Sequence, residues 1–295
     1  MTTTVAIESA SAGPVCARHL RRLAMPFEGL SGDREQPLFG AQTAVEGFMR
    51  AVTCHSSLPV CDLFAPASWL SEARSRLTAL TTGTPGPAVS VWPVEEADAR
   101  LSGGPATVVH DPSGDLWRMH YLRSQVAPGS YPITAVHYTL SYSSSRYGAV
   151  LPLLMAGCQP YDALVCLSMA ARQAVDALIS QVQAGVRTEY GLELPFRARL
   201  EVIPLGVDTS VFRPRDRAEA RALLGLPLDR IILLGLGRFS MADKMDLAPL
   251  LLVFRELRAA SRRRLLLLLA GSDPNGYART VAGLAQELGI QADVR

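Results

Sequence analysis

Short apolar runs alternate with segments whose hydrophobic residues recur every three to four positions, and this alternation holds along most of the chain. Such a rhythm is satisfied by parallel strands joined through crossover helices, and it predicts an α/β fold. Val45, Phe48, Met49 and Val52 share one helical face across 42–53, and Val60-Cys61-Asp62-Leu63-Phe64 reads as a strand. Residues 68–80 repeat the helical period through Trp69, Leu70, Ala73, Leu77 and Leu80. Further strands are expected at 89–94, 106–110, 133–138 and 163–167. Ser168 is placed to cap a helix whose buried face is Ala174, Val175, Leu178, Ile179 and Val182.

Between 185 and 200 the pattern lapses into Gly, Pro and mixed charge, which places a domain boundary there: 1–199 as a Rossmann-like first domain and 200–295 as a second. The second domain reads as strand, helix (216–224), strand, helix (247–260), strand, helix (277–288), with the chain entering another strand at Ala292-Asp293-Val294-Arg295. Asp246 is positioned to cap the middle helix, and Pro249 falls in its first turn, where a missing N–H costs little. A doubly wound domain uses five or six strands, so three after residue 200 imply an incomplete second domain.

Of the 295 residues, 48% are hydrophobic and 19% charged, enough for a sizeable core, and the formal net charge is only +2. The basic clusters Arg18-His19-Leu20-Arg21-Arg22 and Arg262-Arg263-Arg264 lie among apolar residues without aromatic interleaving, which argues against nucleic-acid binding and for solvated element ends. Five cysteines, at 16, 54, 61, 158 and 166, form no CxxC pair, and Cys158 and Cys166 sit among apolar neighbours as core residues do. A reduced, cytoplasmic setting is expected, with no leader and no membrane span. Peripheral membrane contact and oligomeric state stay open.

The most chemically pointed segment is Gly237-Arg238-Phe239-Ser240-Met241-Ala242-Asp243-Lys244, which follows the apolar run Ile231-Ile232-Leu233-Leu234. A strand that ends in a glycine turn carrying Arg and Lys sets two cations beside the amino end of the next helix. Arg offers a planar fork for phosphate oxygens and Lys a compact charge, a combination suited to a diphosphate. Solvated loop charges are the plain alternative for such a pair. Upstream stands Leu200-Glu201-Val202-Ile203-Pro204-Leu205-Gly206-Val207-Asp208, then Phe212-Arg213-Pro214; downstream, Arg263-Arg264 lead into 265–270 and Gly271-Ser272-Asp273.

This ordered series, across about 130–290, resembles the family-4 glycosyltransferases, retaining enzymes of the GT-B fold. The resemblance implies a GT-B layout in which the strand and loop at 202–208 open the donor domain. It implies that Arg238 and Lys244 grip the diphosphate of a nucleotide sugar, with Gly206 and Gly237 lining the donor pocket. It also implies that His137, at the end of its strand, contacts the transferred sugar; a structural histidine is the alternative. The reaction so implied moves a hexose from a nucleotide diphosphosugar to an acceptor hydroxyl with retention. The sugar nucleotide is a co-substrate, and neither a further cofactor nor a metal is expected.

Two departures from the family stand out. The pair of donor-site glutamates separated by seven intervening residues would fall beyond Arg295, while Glu193 and Glu201, suitably spaced, precede Ile203-Pro204-Leu205-Gly206 and are a coincidence. Ser11-Ala12-Gly13-Pro14 only partly replaces the early glycine pair of the acceptor cleft. A truncated, non-catalytic nucleotide-sugar-binding or interaction module is therefore a serious alternative. An NAD-dependent dehydrogenase is weaker, since the third glycine position after Gly235-Leu236-Gly237 is Ser240 and Asp273 lies too far on.

Ser141 to Ser145, with Tyr142, form a hydroxyl-rich loop read mainly as structural. His110, Asp111, Asp115 and His120 match no metal-ligand spacing.

Overall fold

The computed structural model describes residues 20–27, 40–81, 86–102, 107–112, 117–138, 145–242 and 244–295. Its contacts divide the chain into two units, the first reaching Val207 and the second running from Asp208 to Arg295. No helix among the described residues is long and apolar enough to cross a membrane.

The first unit is built on seven parallel strands: β1 (Arg22–Pro26), β2 (Val60–Ala65), β3 (Ala88–Pro93), β4 (Thr107–Asp111), β5 (Ile133–His137), β6 (Ala163–Cys166) and β7 (Arg199–Val202). Their spatial order is β3-β2-β1-β4-β5-β6-β7, and the connecting helices are α1 (Gly40–His55), α2 (Leu70–Thr81), α3 (Ala97–Ser102), α4 (Arg118–Val126), α5 (Leu151–Met155) and α6 (Met169–Tyr190). Successive residues of a strand face opposite sides, so each strand feeds two cores. Leu23, Met25, Cys61, Leu63 and Val91 pack with Met49, Ala73 and Leu77 of α1 and α2. Ala24, Phe64, Val109 and Ile133 pack with Ala97 and Leu101 of α3. Ala135, Leu164 and Cys166 meet Val175, Ile179 and Val182 of α6. This is the α/β, Rossmann-like class that the alternation implies.

Strand β1 escapes the sequence reading, which treats Arg18 to Arg22 as a solvated cluster. Arg22 instead opens an inner strand, its Nε lying 3.2 Å from Asp62 Oδ2 and its Nη1 donating to the Arg100 carbonyl at 3.0 Å. Ser168 caps α6 as expected, its hydroxyl accepting from Ala171 N at 3.0 Å, and Gly191, with φ of 66°, ends the helix in a left-handed turn.

The lapse at 185–200 is not the passage between units. Helix α6 continues to Tyr190, and β7 pairs with β6 from Ala163↔Arg199 to Cys166↔Val202, so the strand expected to open the second domain completes the first sheet. The division falls after Val207 rather than after 199. The last turns of α6 are solvent-facing, which erases the apolar stripe that would have revealed them.

The second unit contains α7 (Arg217–Leu223), β8 (Ile231–Leu236), α8 (Ala248–Ala260), β9 (Leu265–Ala270) and α9 (Tyr277–Glu287). Strands β8 and β9 are parallel, in register from Ile231↔Leu265 to Leu236↔Ala270. Leu247, Leu251 and Phe254 join Leu265, Leu267, Val281 and Ala285 in its core. Asp216 caps α7, accepting from Ala218 N and Glu219 N at 2.8 and 2.9 Å. Val294 bridges Leu267 in parallel, and Arg295 exchanges backbone hydrogen bonds with Leu267 and Leu269, so these residues run beside β9 as the sequence suggests.

Candidate functional site

Parallel strands end at one edge of their sheet, so the loops after β8 and β9 emerge side by side, where open α/β sheets hold ligands. Pairing continues past the strand ends: Gly237 N donates to the Ala270 carbonyl at 2.9 Å, and Phe239 N to the Ser272 carbonyl at 2.8 Å. The Phe239 ring is buried in the core of the unit. Arg238 is thus held between two anchored neighbours and is half-buried. The loop then folds back on itself, Ser240 pairing with Met245, and the Ser240 carbonyl accepts from Lys244 N and Met245 N at 3.2 and 2.9 Å. Lys244 is exposed on that turn. Gly237, Arg238 and Lys244 therefore belong to one short, internally bonded loop.

The amino ends of the following helices contribute less than the sequence implies. The N-cap of α8 is Leu247, without a side-chain hydrogen bond; Asp246, expected as the cap, stands one residue earlier, where its Oδ1 accepts from Ala248 N at 3.1 Å, and Pro249 has no N–H to give. At α9, Asp273 takes the N–H groups of Tyr277 and Ala278 at 2.7 and 3.0 Å. A bound anion would find these donors engaged by carboxylates, so recognition at this edge falls to the Arg238 and Lys244 side chains.

The glycine with the tightest steric demand here is Gly271. A Cβ on Gly271 would sit 1.7 Å from the Gly237 carbonyl oxygen and 2.6 Å from its carbon, so the exit of β9 presses on the peptide that leads into Arg238. At Gly237 itself a Cβ would meet the Met245 side chain at ordinary contact, Sδ at 3.6 Å and Cε at 3.7 Å, and at Gly206 nothing lies within 4 Å; neither has a positive φ. No sequence motif singles out Gly271 for this close approach. A second unforeseen link is Tyr277 Oη, which donates to Asp246 Oδ1 at 2.8 Å across 31 residues of chain.

His137 lies in the first unit, as does Gly206, which is exposed after β7. His137 ends β5 in register with Cys166; it is buried, and its Nε2 has no hydrogen-bond partner among the described residues. Burial holds its pKa below the ordinary histidine value.

The other histidine candidates do not converge. His110 on β4 meets Thr134 Oγ1 through Nδ1 at 2.9 Å and the Phe48 ring at 4.5 Å, while His120 on α4 lies 3.4 Å from Asp162 Oδ2. Among the described residues no three His, Cys, Asp or Glu side chains are grouped to hold a metal. Asp115, Ser141 to Ser144 with Tyr142, and Ser11 to Pro14 lie outside the described residues. Glu193 pairs with Arg187 on the surface at 2.6 Å, and Glu201 lies on β7, so the two glutamates form no site.

No family model matches the chain. Over 101 residues it is 40% identical to the D-inositol 3-phosphate glycosyltransferase of Mycolicibacterium paratuberculosis, a stretch that is 33% of this chain and 21% of that protein. The protein of the same name from Nocardioides sp. is 42% identical over 100 residues, 32% of this chain and 21% of its own length. The matched part thus spans about a fifth of the length of these curated relatives. Among solved structures, the N-terminal domain of Candida albicans trehalose-6-phosphate phosphatase superposes with a TM-score of 0.54 at 12% identity, covering 93% of this chain and 73% of that one. The chain therefore shares an α/β, Rossmann-like fold with that domain, and about a third of it is similar in sequence to proteins named glycosyltransferases.

Proposed function

We propose that the chain belongs to a retaining, GT-B glycosyltransferase of the family-4 kind, which transfers a hexose from a nucleotide diphosphosugar to an acceptor hydroxyl. The observation that carries this reading is the anchoring of Arg238, with Gly237 N and Phe239 N both bonded to the exit of β9. A guanidinium whose backbone is fixed on both sides loses little freedom when it grips a diphosphate. Lys244, on the same loop, adds a second charge. As the sugar leaves, negative charge grows on the diphosphate, so these two cations stabilise the transition state more than the ground state.

His137, buried and with its pKa held below the ordinary histidine value, is assigned to the transferred sugar, its Nε2 having no hydrogen-bond partner among the described residues. The names of the relatives make an inositol phosphate the first acceptor to assay.

The test is calorimetric titration of the 295-residue chain with UDP and GDP beside an Arg238→Ala, Lys244→Ala double variant. Binding by the wild type that disappears in the variant supports the reading. A folded wild type that binds neither overturns it.

A further inference from the structure

The loop that carries Arg238 and Lys244 is fastened at its start by Gly237 N and Phe239 N, and across its middle by the pairing of Ser240 with Met245. Its far end is Asp246. Beyond accepting from Ala248 N, Asp246 Oδ1 receives the Tyr277 hydroxyl at 2.8 Å. Tyr277 is itself fixed, since its backbone N donates to Asp273 Oδ1 at 2.7 Å and its ring packs against the core of the second unit. Asp273, Tyr277 and Asp246 thus form a bonded chain from the exit of β9 to the exit of β8.

We infer that Tyr277 is a positioning residue for the diphosphate site: its hydrogen bond to Asp246 clamps the far end of the Arg238–Lys244 loop. The inference rests on the diphosphate reading of that loop. Two physical effects act in the same direction. The clamp lowers the ordering cost of bringing Arg238 and Lys244 onto a ligand. A hydroxyl donating to a carboxylate also offsets charge on Asp246, which otherwise repels an incoming diphosphate from a position two residues after Lys244.

The experiment compares wild type, Tyr277→Phe, Arg238→Ala and the double variant by UDP and GDP titration, with amide hydrogen exchange followed over residues 237–246 of the ligand-free chain. Tyr277→Phe keeps the ring and removes only the hydroxyl. Affinity about tenfold weaker in Tyr277→Phe is expected, with a smaller further loss when Arg238 is already alanine, since only the Lys244 and Asp246 contributions then remain, and with faster exchange over 237–246 while β8 and β9 stay protected. Unchanged affinity, or an equal loss in the Arg238→Ala background, overturns the inference and leaves the diphosphate reading standing. Unchanged exchange overturns the clamp whatever the ligand does. A folded wild type that binds neither nucleotide overturns the diphosphate reading, and the positioning role falls with it.

Discussion

Gly271 and Gly237 meet backbone to backbone: a Cβ on Gly271 would lie 1.7 Å from the Gly237 carbonyl oxygen. No rotamer change relieves such a contact, because the obstructing atoms are main chain. The strand exits after β8 and β9 are therefore one mechanical unit, and the peptide entering Arg238 is located by a residue 33 positions after that arginine (271 − 238).

Gly271→Ala must displace either the 237–238 peptide or its own turn. Overpacking of this kind costs about 1–3 kcal/mol, and it shifts the Arg238 fork. We expect a lowered melting temperature together with about tenfold weaker UDP or GDP binding, read by thermal melts and calorimetry. Gly206→Ala is the contrast: with nothing within 4 Å of its Cβ it should melt like the wild type, while weaker nucleotide binding would place a ligand against it. A Gly271→Ala chain with unaltered stability would contradict the close approach.

Arg238→Lys should fail to restore what Arg238→Ala loses. On the proposed diphosphate reading the ligand is held by a planar fork on a fixed backbone, and an ammonium provides one point charge instead of two parallel hydrogen bonds. With a nucleotide sugar and an accepting polyol phosphate, turnover should fall about a hundredfold in Arg238→Ala. Recovery to near wild-type rates in Arg238→Lys would show that charge alone suffices there.

The buried ion pair of the first unit carries stability rather than chemistry. Arg123 makes two 2.6 Å hydrogen bonds to the Asp162 carboxylate and a third, of 2.7 Å, to the Tyr131 carbonyl, while Asp162 also accepts from Ile133 N and Gln159 N. Burial opposes the Asp162 charge, but the Arg123 guanidinium and the surrounding donors outweigh it and hold the carboxyl well below its ordinary value. Its stabilising contribution is complete above the ordinary carboxylate range near pH 4 and is lost as pH falls from there toward the depressed folded value. Asp162→Ala leaves Arg123 buried and unpaired, at a cost of about 3–5 kcal/mol. Denaturant unfolding of the first unit should show that loss, and a cost under about 1 kcal/mol would contradict the pairing.

How far the fold could be read beforehand follows from how each element is buried. The strands at Val60–Ala65, Ala88–Pro93 and Ile133–His137, and the helices at 248–260 and 277–287, announce themselves because apolar residues recur at the right period. Strand β1 does not, because the five residues from Arg22 to Pro26 carry too little pattern, and its role appears only when Leu23 and Met25 are seen on one face and Ala24 on the other. Membership of β7 in the first sheet is a long-range property that no local run encodes. The Arg238–Lys244 loop is visible as a motif, whereas the Tyr277–Asp246 bond and the Gly271–Gly237 contact join residues more than thirty apart and come only from the register of β8 on β9.

His110 offers a pH test of the first core. Its ring lies against Phe48, Nδ1 is bonded to Thr134 Oγ1, and Nε2 has no partner among the described residues. Burial therefore lowers its pKa to about 4, against about 6.5 in an unfolded chain. In the window between those values the unfolded chain binds a proton that the folded chain refuses, so stability falls as pH falls from about 6.5 toward 4, by up to about 1.4 kcal/mol per pH unit. A His110→Asn variant lacks this linkage. We expect its urea midpoint to lie below that of the wild type near neutral pH, because packing on Phe48 is lost, and the gap to narrow as the buffer is taken to about pH 5. A gap that stays constant across that range would mean that His110 is protonated in the folded protein as readily as in the unfolded one, and that the burial of its imidazole is wrong.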